Sequence, residues 1–134
     1  MKNSEQYNRI CSDLIQRTVL DNRFIPQTPT PRQGLFLSAT VLEALFGGAA
    51  GGGKSSSLMM AALQFVDVPG YSALLLRKSF ADLNKPDSLI PRSMAWLGAK
   101  AEWSSQTPQW TFPSGATLGF GYLDTELDKF QYQG

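Results

Sequence analysis

The stretch Gly47-Gly48-Ala49-Ala50-Gly51-Gly52-Gly53-Lys54-Ser55-Ser56 carries the densest chemistry in the chain. From Gly48 it fits G-x-x-x-x-G-K-[ST] at every fixed position, the pattern of a loop that wraps phosphate. A polyphosphate held by backbone needs successive N–H groups pointing inward, and side chains would block that approach. Glycine leaves the room and reaches positive φ. Lys54 then supplies a mobile point charge for the β and γ phosphates, which makes it the candidate catalytic group. Ser55 supplies a hydroxyl able to complete the shell of a Mg²⁺ ion that keeps most of its waters. A charge-assisted hydrogen bond of this kind contributes about 1.5–3 kcal/mol. The plain alternative is a glycine-rich linker, but linkers are not usually clamped between two apolar segments.

Those segments are the elements that must position the loop. Glu43-Ala44-Leu45-Phe46 closes a short apolar run, so residues 41–46 are expected to be a first strand ending at the loop. Beyond it Leu58, Met59, Ala62, Leu63 and Val66 recur at helical spacing, which predicts a helix over 56–66. Asp67-Val68-Pro69-Gly70 reads as a turn. Residues 72–76 follow as a second strand without polar alternation, as expected for a strand covered on both faces of a parallel sheet. Two apolar strands and one helix would make a βαβ unit. Arg77-Lys78 then fall at the strand's C-terminal end, where ligands bind in open α/β sheets. Contact with phosphate or DNA and an ordinary solvated pair are both open readings of them.

Upstream, residues 26–32 hold Pro26, Pro29 and Pro31 and should run extended as a lead-in. Thr30-Pro31 has the form of a helix start, N-cap followed by proline at the first position, predicting a short helix over 32–38 with Gln33 in its first turn. A glutamine carries donor and acceptor and can read an adenine edge, although spacing alone favours a solvated surface residue. Further upstream, Tyr7, Ile10, Cys11, Leu14, Ile15 and Thr18 form one stripe of an amphipathic helix over 4–20. Its polar face lacks the dense Lys/Arg of a membrane-surface helix, so packing on the domain or a partner is expected. Cys11 lies on the stripe, where a small packed hydrophobe is the favoured reading over a nucleophile.

Downstream, Pro86 and Pro91 interrupt residues 82–97, predicting a broken helix that restarts at Pro91 and stops at Gly98. Residues 101–104 and 109–112 carry aromatics at period two. Pro113-Ser114-Gly115 is a turn leading into 116–122, so antiparallel strands are expected. Trp96, Trp103, Trp110, Phe112, Phe120 and Tyr122 could stack single-stranded nucleic acid; without interleaved Lys/Arg, an apolar face packed on the sheet is the favoured reading. A phosphate-hydrolysing site also needs an acid at a strand end to hold Mg²⁺ and position water. Asp124 and Glu126 are the nearest candidates, weakened by Gly119 and Gly121 in the preceding run and by the hairpin-type turn before it.

Composition bounds these readings. A chain of 134 residues is the size of one domain and buries about two-thirds of its unfolded surface. Hydrophobic content of 43% with 17% charged residues fits a globular protein rather than a disordered one. The net charge of +1 gives no strongly basic field, so nucleic-acid affinity would depend on local patches. One cysteine cannot form an intramolecular disulfide, and with no histidine a Cys/His zinc site is excluded. Neither an apolar run long enough to span a bilayer nor a secretory signal is read in the sequence, so no membrane is expected and the expected compartment is a reducing cytoplasm.

With these residues assembled, the chain resembles the N-terminal part of the ATPase domain of tailed-phage terminase large subunits, the motors that package DNA. The resemblance rests on Thr30-Pro31-Arg32-Gln33, on residues 45–55, and on Leu74-Leu75-Leu76-Arg77-Lys78. It also includes Phe112-Pro113-Ser114-Gly115-Ala116 with Gly119-Phe120-Gly121, and finally Lys129-Phe130-Gln131-Tyr132-Gln133-Gly134. It implies an α/β, incomplete P-loop NTPase fold of the RecA/ASCE-like kind, with a mainly parallel sheet, a β-hairpin insertion near the C-terminus and an N-terminal amphipathic helix. Residues 1–26 would be a helical segment and 27–134 the start of the ATPase domain. It further implies that Gln33 contacts adenine of ATP, that Gly48, Ala49, Ala50, Gly51, Gly52 and Gly53 cradle phosphates, that Lys54 binds the β/γ phosphates and that Ser55, followed by Ser56, binds Mg²⁺.

Double-stranded DNA, a portal protein and a small terminase subunit are the implied partners, in a homo-oligomeric ring within the host cell cytoplasm. Two departures matter. Several members carry an arginine inside the loop where this chain has Ala50, so transition-state charge would be neutralised from Arg77 or a neighbouring subunit. The acidic Walker B strand is expected just beyond Gly134, making the chain a catalytically incomplete fragment with exposed strand edges. The competing readings are a helicase- or recombinase-like ATPase fragment and a non-catalytic nucleotide-binding module.

Overall fold

The computed structural model describes residues 2–47 and 53–123. The chain is α/β and divides into two compact units, Met1–Gln64 and Phe65–Gly134.

In the first unit, helix α1 (Lys2–Ile15) passes into a single π-helical turn, Gln16–Leu20. The Thr18 hydroxyl donates to the Leu14 carbonyl at 2.7 Å, and Asp21 N–H reaches back five residues to Gln16 O at 2.8 Å. Hydroxyl back-bonding of this kind competes with the ordinary helical ladder and bends it. Asn22, itself buried, fastens the exit. Its Nδ2 donates to Thr18 O at 3.0 Å and to Leu63 O at 2.8 Å, while its Oδ1 accepts from Phe24 N–H. The expected apolar stripe is only partly covered, for Leu14, Ile15 and Thr18 are half-buried and Tyr7 and Ile10 stand exposed, while Val19, outside the stripe, is buried. Cys11 is half-buried beside Tyr7, whose phenol its hydrogen bond pushes above the ordinary tyrosine range.

Helix α2 (Pro31–Leu37) starts where Thr30-Pro31 predicts, with Pro31 fixing φ at the first helical position. Helix α3 (Lys54–Leu63) begins two residues before the predicted start and buries Met59, Met60, Ala62 and Leu63. Gln64 ties the unit together, its Nε2 donating to Thr18 Oγ1 at 3.0 Å and to Leu37 O at 3.1 Å.

The strand expected over 41–46 does not form. Leu42 is 101% exposed and Leu45 98%, and none of the described strands runs beside them. A strand earns its stability from ladder partners and a covered face; without either, the apolar run stays irregular, with only the Phe46 ring packed on Phe36 at 5.3 Å. The βαβ unit read from the sequence is therefore not made by the described residues.

The second unit is built on a four-stranded sheet of order β1-β4-β3-β2, from β1 (Ser72–Arg77), β2 (Glu102–Ser104), β3 (Gln109–Thr111) and β4 (Thr117–Tyr122). Strands β1 and β4 run parallel, with Leu75 opposite Phe120, whereas β2–β3 and β3–β4 are antiparallel. The sheet is mixed, not mainly parallel as the resemblance implies, because the hairpin strands supply two of its three pairings. Strand β1 also departs from expectation. It lies at the sheet edge and alternates, with Leu74 and Leu76 exposed on one face, so its unbroken apolar run does not mark a strand covered on both sides.

Between β1 and β2, the predicted broken helix appears as α4 (Phe80–Asn84) and α5 (Leu89–Leu97). Helix α5 starts two residues before Pro91, which falls within the first turn where a missing N–H removes no helical bond. Gly98 stops it at φ +46°, a conformation that glycine adopts freely. In the hairpin, Gly115 at φ +90° closes the turn as its N–H donates to Phe112 O at 2.8 Å. Trp103 packs on Trp110 at 5.1 Å and on Phe120 at 6.0 Å between ring centroids. The buried Trp110 indole donates to Ser93 Oγ at 2.9 Å, and that hydroxyl donates to Ile90 O. Trp110, Phe112 and Phe120 are thus core, which decides against these three as a stacking platform. Among the described residues no helix is long and apolar enough to cross a membrane.

Candidate functional site

The described part of the glycine-rich loop is its end, Gly53, and the start of α3. Gly48, Ala49, Ala50, Gly51 and Gly52 lie outside the described residues, as do Asp124 and Glu126. Gly53 is the N-cap of α3 at φ +81°, ψ 16°, in the left-handed region where an L side chain costs about 1–2 kcal/mol. Its carbonyl accepts from Ser57 N–H at 2.9 Å, the first bond of the helix, and from the Ser57 hydroxyl at 2.8 Å. Lys54, Ser55 and Ser56 follow as the first three helical residues, Lys54 and Ser55 half-buried and Ser56 buried. The first N–H groups of a helix have no carbonyl within it to meet, and the aligned peptide dipoles favour negative charge there. Left-handed glycine, helix start, lysine and hydroxyl therefore occur in the order that a phosphate loop requires.

A third donor reaches the Gly53 carbonyl. Gln33 Nε2 donates to it at 3.0 Å, across twenty positions of sequence. The other end of the amide closes a capping box on α2, because Gln33 Oε1 accepts from Thr30 N–H at 2.9 Å while Thr30 Oγ1 accepts from Gln33 N–H at 3.2 Å. The pairing fixes which end is which, for a flipped amide would set nitrogen against an N–H and oxygen against a carbonyl. Gln33 is only 6% exposed, so it is not the solvated residue that its spacing favours. A Cβ added to Gly53 would sit 2.6 Å from Gln33 Nε2, so it would push that amide aside as well as strain the positive φ.

Sequence reasoning found Thr30 as cap and Pro31 as first residue but missed the box, although Thr30-Pro31-Arg32-Gln33 satisfies S/T-x-x-E/Q. No local signal marks the bond from Gln33 to Gly53. Arg77, at the end of β1, belongs to the second unit and is half-buried, with its carbonyl accepting from Leu123 N–H at 3.0 Å. Strand β4 continues through Gly119 and Gly121 and runs parallel to β1, ending at Tyr122, two residues before Asp124. The glycines therefore do not interrupt the strand that leads to this acid.

As to metal, the described residues contain no group of three or more Cys, Asp or Glu able to hold an ion. The Ser55 hydroxyl at the second position of α3 fits a Mg²⁺ ion that takes most of its remaining shell from water and phosphate. A hollow of about 470 Å³ lined by Lys100, Glu102, Thr111 and Phe112 lies in the second unit and holds none of these groups. Comparison with protein-family models, with curated proteins and with solved structures gives no match to the chain.

Proposed function

We propose that the chain is the nucleotide-binding part of an ATP-driven motor that packages double-stranded DNA, of the terminase large-subunit kind and with a P-loop NTPase fold. The observation that carries the nucleotide reading is the left-handed Gly53 opening α3 directly into Lys54 and Ser55, with its carbonyl held from three sides. The arrangement presents a helix start, an ammonium group and a hydroxyl together, which is what a triphosphate with Mg²⁺ needs. The bound ion would draw charge from the β and γ phosphates. Lys54 would bind and orient them, Ser55 would hold the ion, and residues 48–53 would supply backbone donors.

The DNA-packaging part of the reading rests on the ordered set of segments from Thr30 to Gly134. On that reading the protein works in the host cytoplasm as a homo-oligomeric ring, with a portal and a small subunit as partners. Calorimetry with a non-hydrolysable ATP analogue and Mg²⁺ tests the site. Lys54→Ala should weaken binding by roughly 10- to 150-fold, the equivalent of one charge-assisted hydrogen bond. Equal affinity in the variant removes the assignment.

A further inference from the structure

We infer that Gln33 is a positioning residue for the last glycine of the phosphate loop, setting affinity for the triphosphate rather than the choice of base. The inference rests on the nucleotide-binding reading above. A glutamine that reads adenine must turn a donor and an acceptor together toward the base edge. Here the donor faces Gly53 O at 3.0 Å and the acceptor faces Thr30 N–H at 2.9 Å, in a side chain almost wholly withdrawn from solvent. Each end of the amide is already turned toward a backbone partner in the protein, and the two partners lie on different elements.

What it holds is the carbonyl whose orientation decides where α3 begins. With Ser57 N–H and the Ser57 hydroxyl, Gln33 fixes the peptide that follows Gly53, and that peptide's own N–H is the one of Lys54. The capping box, anchored by Pro31, makes Gln33 a rigid strut, since Oε1 and the backbone N–H both engage Thr30. Close approach completes the device. Gln33 Nε2 occupies the space that a side chain on residue 53 would need, so a Cβ there would displace the amide from the Gly53 carbonyl.

The test is calorimetric titration of the whole chain with three Mg²⁺-loaded probes, a non-hydrolysable ATP analogue, the matching GTP analogue and inorganic tripolyphosphate. Gln33→Ala should weaken all three by a common factor, about 2- to 10-fold for one hydrogen bond. Gln33→Met, of similar length and without either polar end, should do the same and serves if the alanine variant does not fold by circular dichroism. Gly53→Ala should cost less affinity in the Gln33→Ala background than alone, because the obstructing Nε2 is gone while the φ strain is common to both.

Loss confined to the ATP analogue would make Gln33 a base reader and overturn the inference, as would unchanged affinity for all three probes. Should the unaltered chain bind none of them, the nucleotide reading itself falls and takes this inference with it. A wild type that binds all three while the variants act selectively refutes only the role of Gln33.

Discussion

Replacing Ser93 by alanine removes the acceptor of the Trp110 indole without touching its packing. Ser93 is fully buried and Trp110 is 2% exposed, so no water can substitute at the 2.9 Å bond from Nε1 to Oγ. An orphaned buried donor costs about 1–3 kcal/mol, whereas the bond itself contributes nearer 1 kcal/mol when both partners remain. The Ile90 carbonyl also loses the Ser93 hydroxyl at 2.7 Å, but a helical carbonyl with a ladder bond tolerates that loss. We therefore expect Ser93→Ala to lower stability by about 1–3 kcal/mol in urea unfolding followed by tryptophan fluorescence. The midpoint should move at constant slope. Trp110→Phe in the Ser93→Ala background should add less than Trp110→Phe alone, since the orphan donor leaves with the indole. A Ser93→Ala change below about 0.5 kcal/mol, or strict additivity, would contradict the buried bond.

Two other changes follow from the same geometry. Thr30→Ala removes the cap on Gln33 N–H and should cost about 1 kcal/mol in urea unfolding, with Thr30→Ser restoring most of it; equal stability in the alanine variant would deny the capping box. The Asp82 carboxyl is held below its ordinary value of 3.8, first by the Lys85 ammonium group and then by the Ser79 hydroxyl. Because the folded value is the lower one, the contribution to α4 is present above that ordinary value and fades as pH falls through the folded one. Carboxyl NMR should show Asp82 titrating below 3.8 and moving back toward it in Lys85→Met; titration at or above 3.8 in the unaltered chain would contradict the pairing.

What could be read from the sequence was local and what could not was long-range. Thr30-Pro31, the prolines of residues 82–97, Gly98 and the Pro113-Ser114-Gly115 turn each act through their own backbone, and each appears where it was expected within two residues or so. Residues 41–46 and 72–76 have the same apolar texture, yet one is irregular and the other a strand. The difference is a partner: β1 finds β4, forty residues onward, and the earlier run finds none among the described strands. Composition cannot register a neighbour. Likewise, apolar continuity in β1 implied two covered faces, while one face is left uncovered by the described residues, with Leu74 and Leu76 exposed. At the candidate site, Lys54 and Ser55 follow from the motif alone, whereas the Gln33 contact depends on α2 and α3 meeting in space, which no spacing rule encodes.

Backbone amide resonances give the most direct reading of the central claim that the start of α3 takes a triphosphate. On titration with Mg²⁺ and a non-hydrolysable ATP analogue, the N–H signals of Gly53, Lys54, Ser55 and Ser56 should shift most, and should do so again with tripolyphosphate. In Lys54→Ala the same shifts should require roughly 10- to 150-fold more ligand. Saturating nucleotide that leaves those amides in place, or moves them no more than amides of the β2–β3 hairpin, would contradict the account.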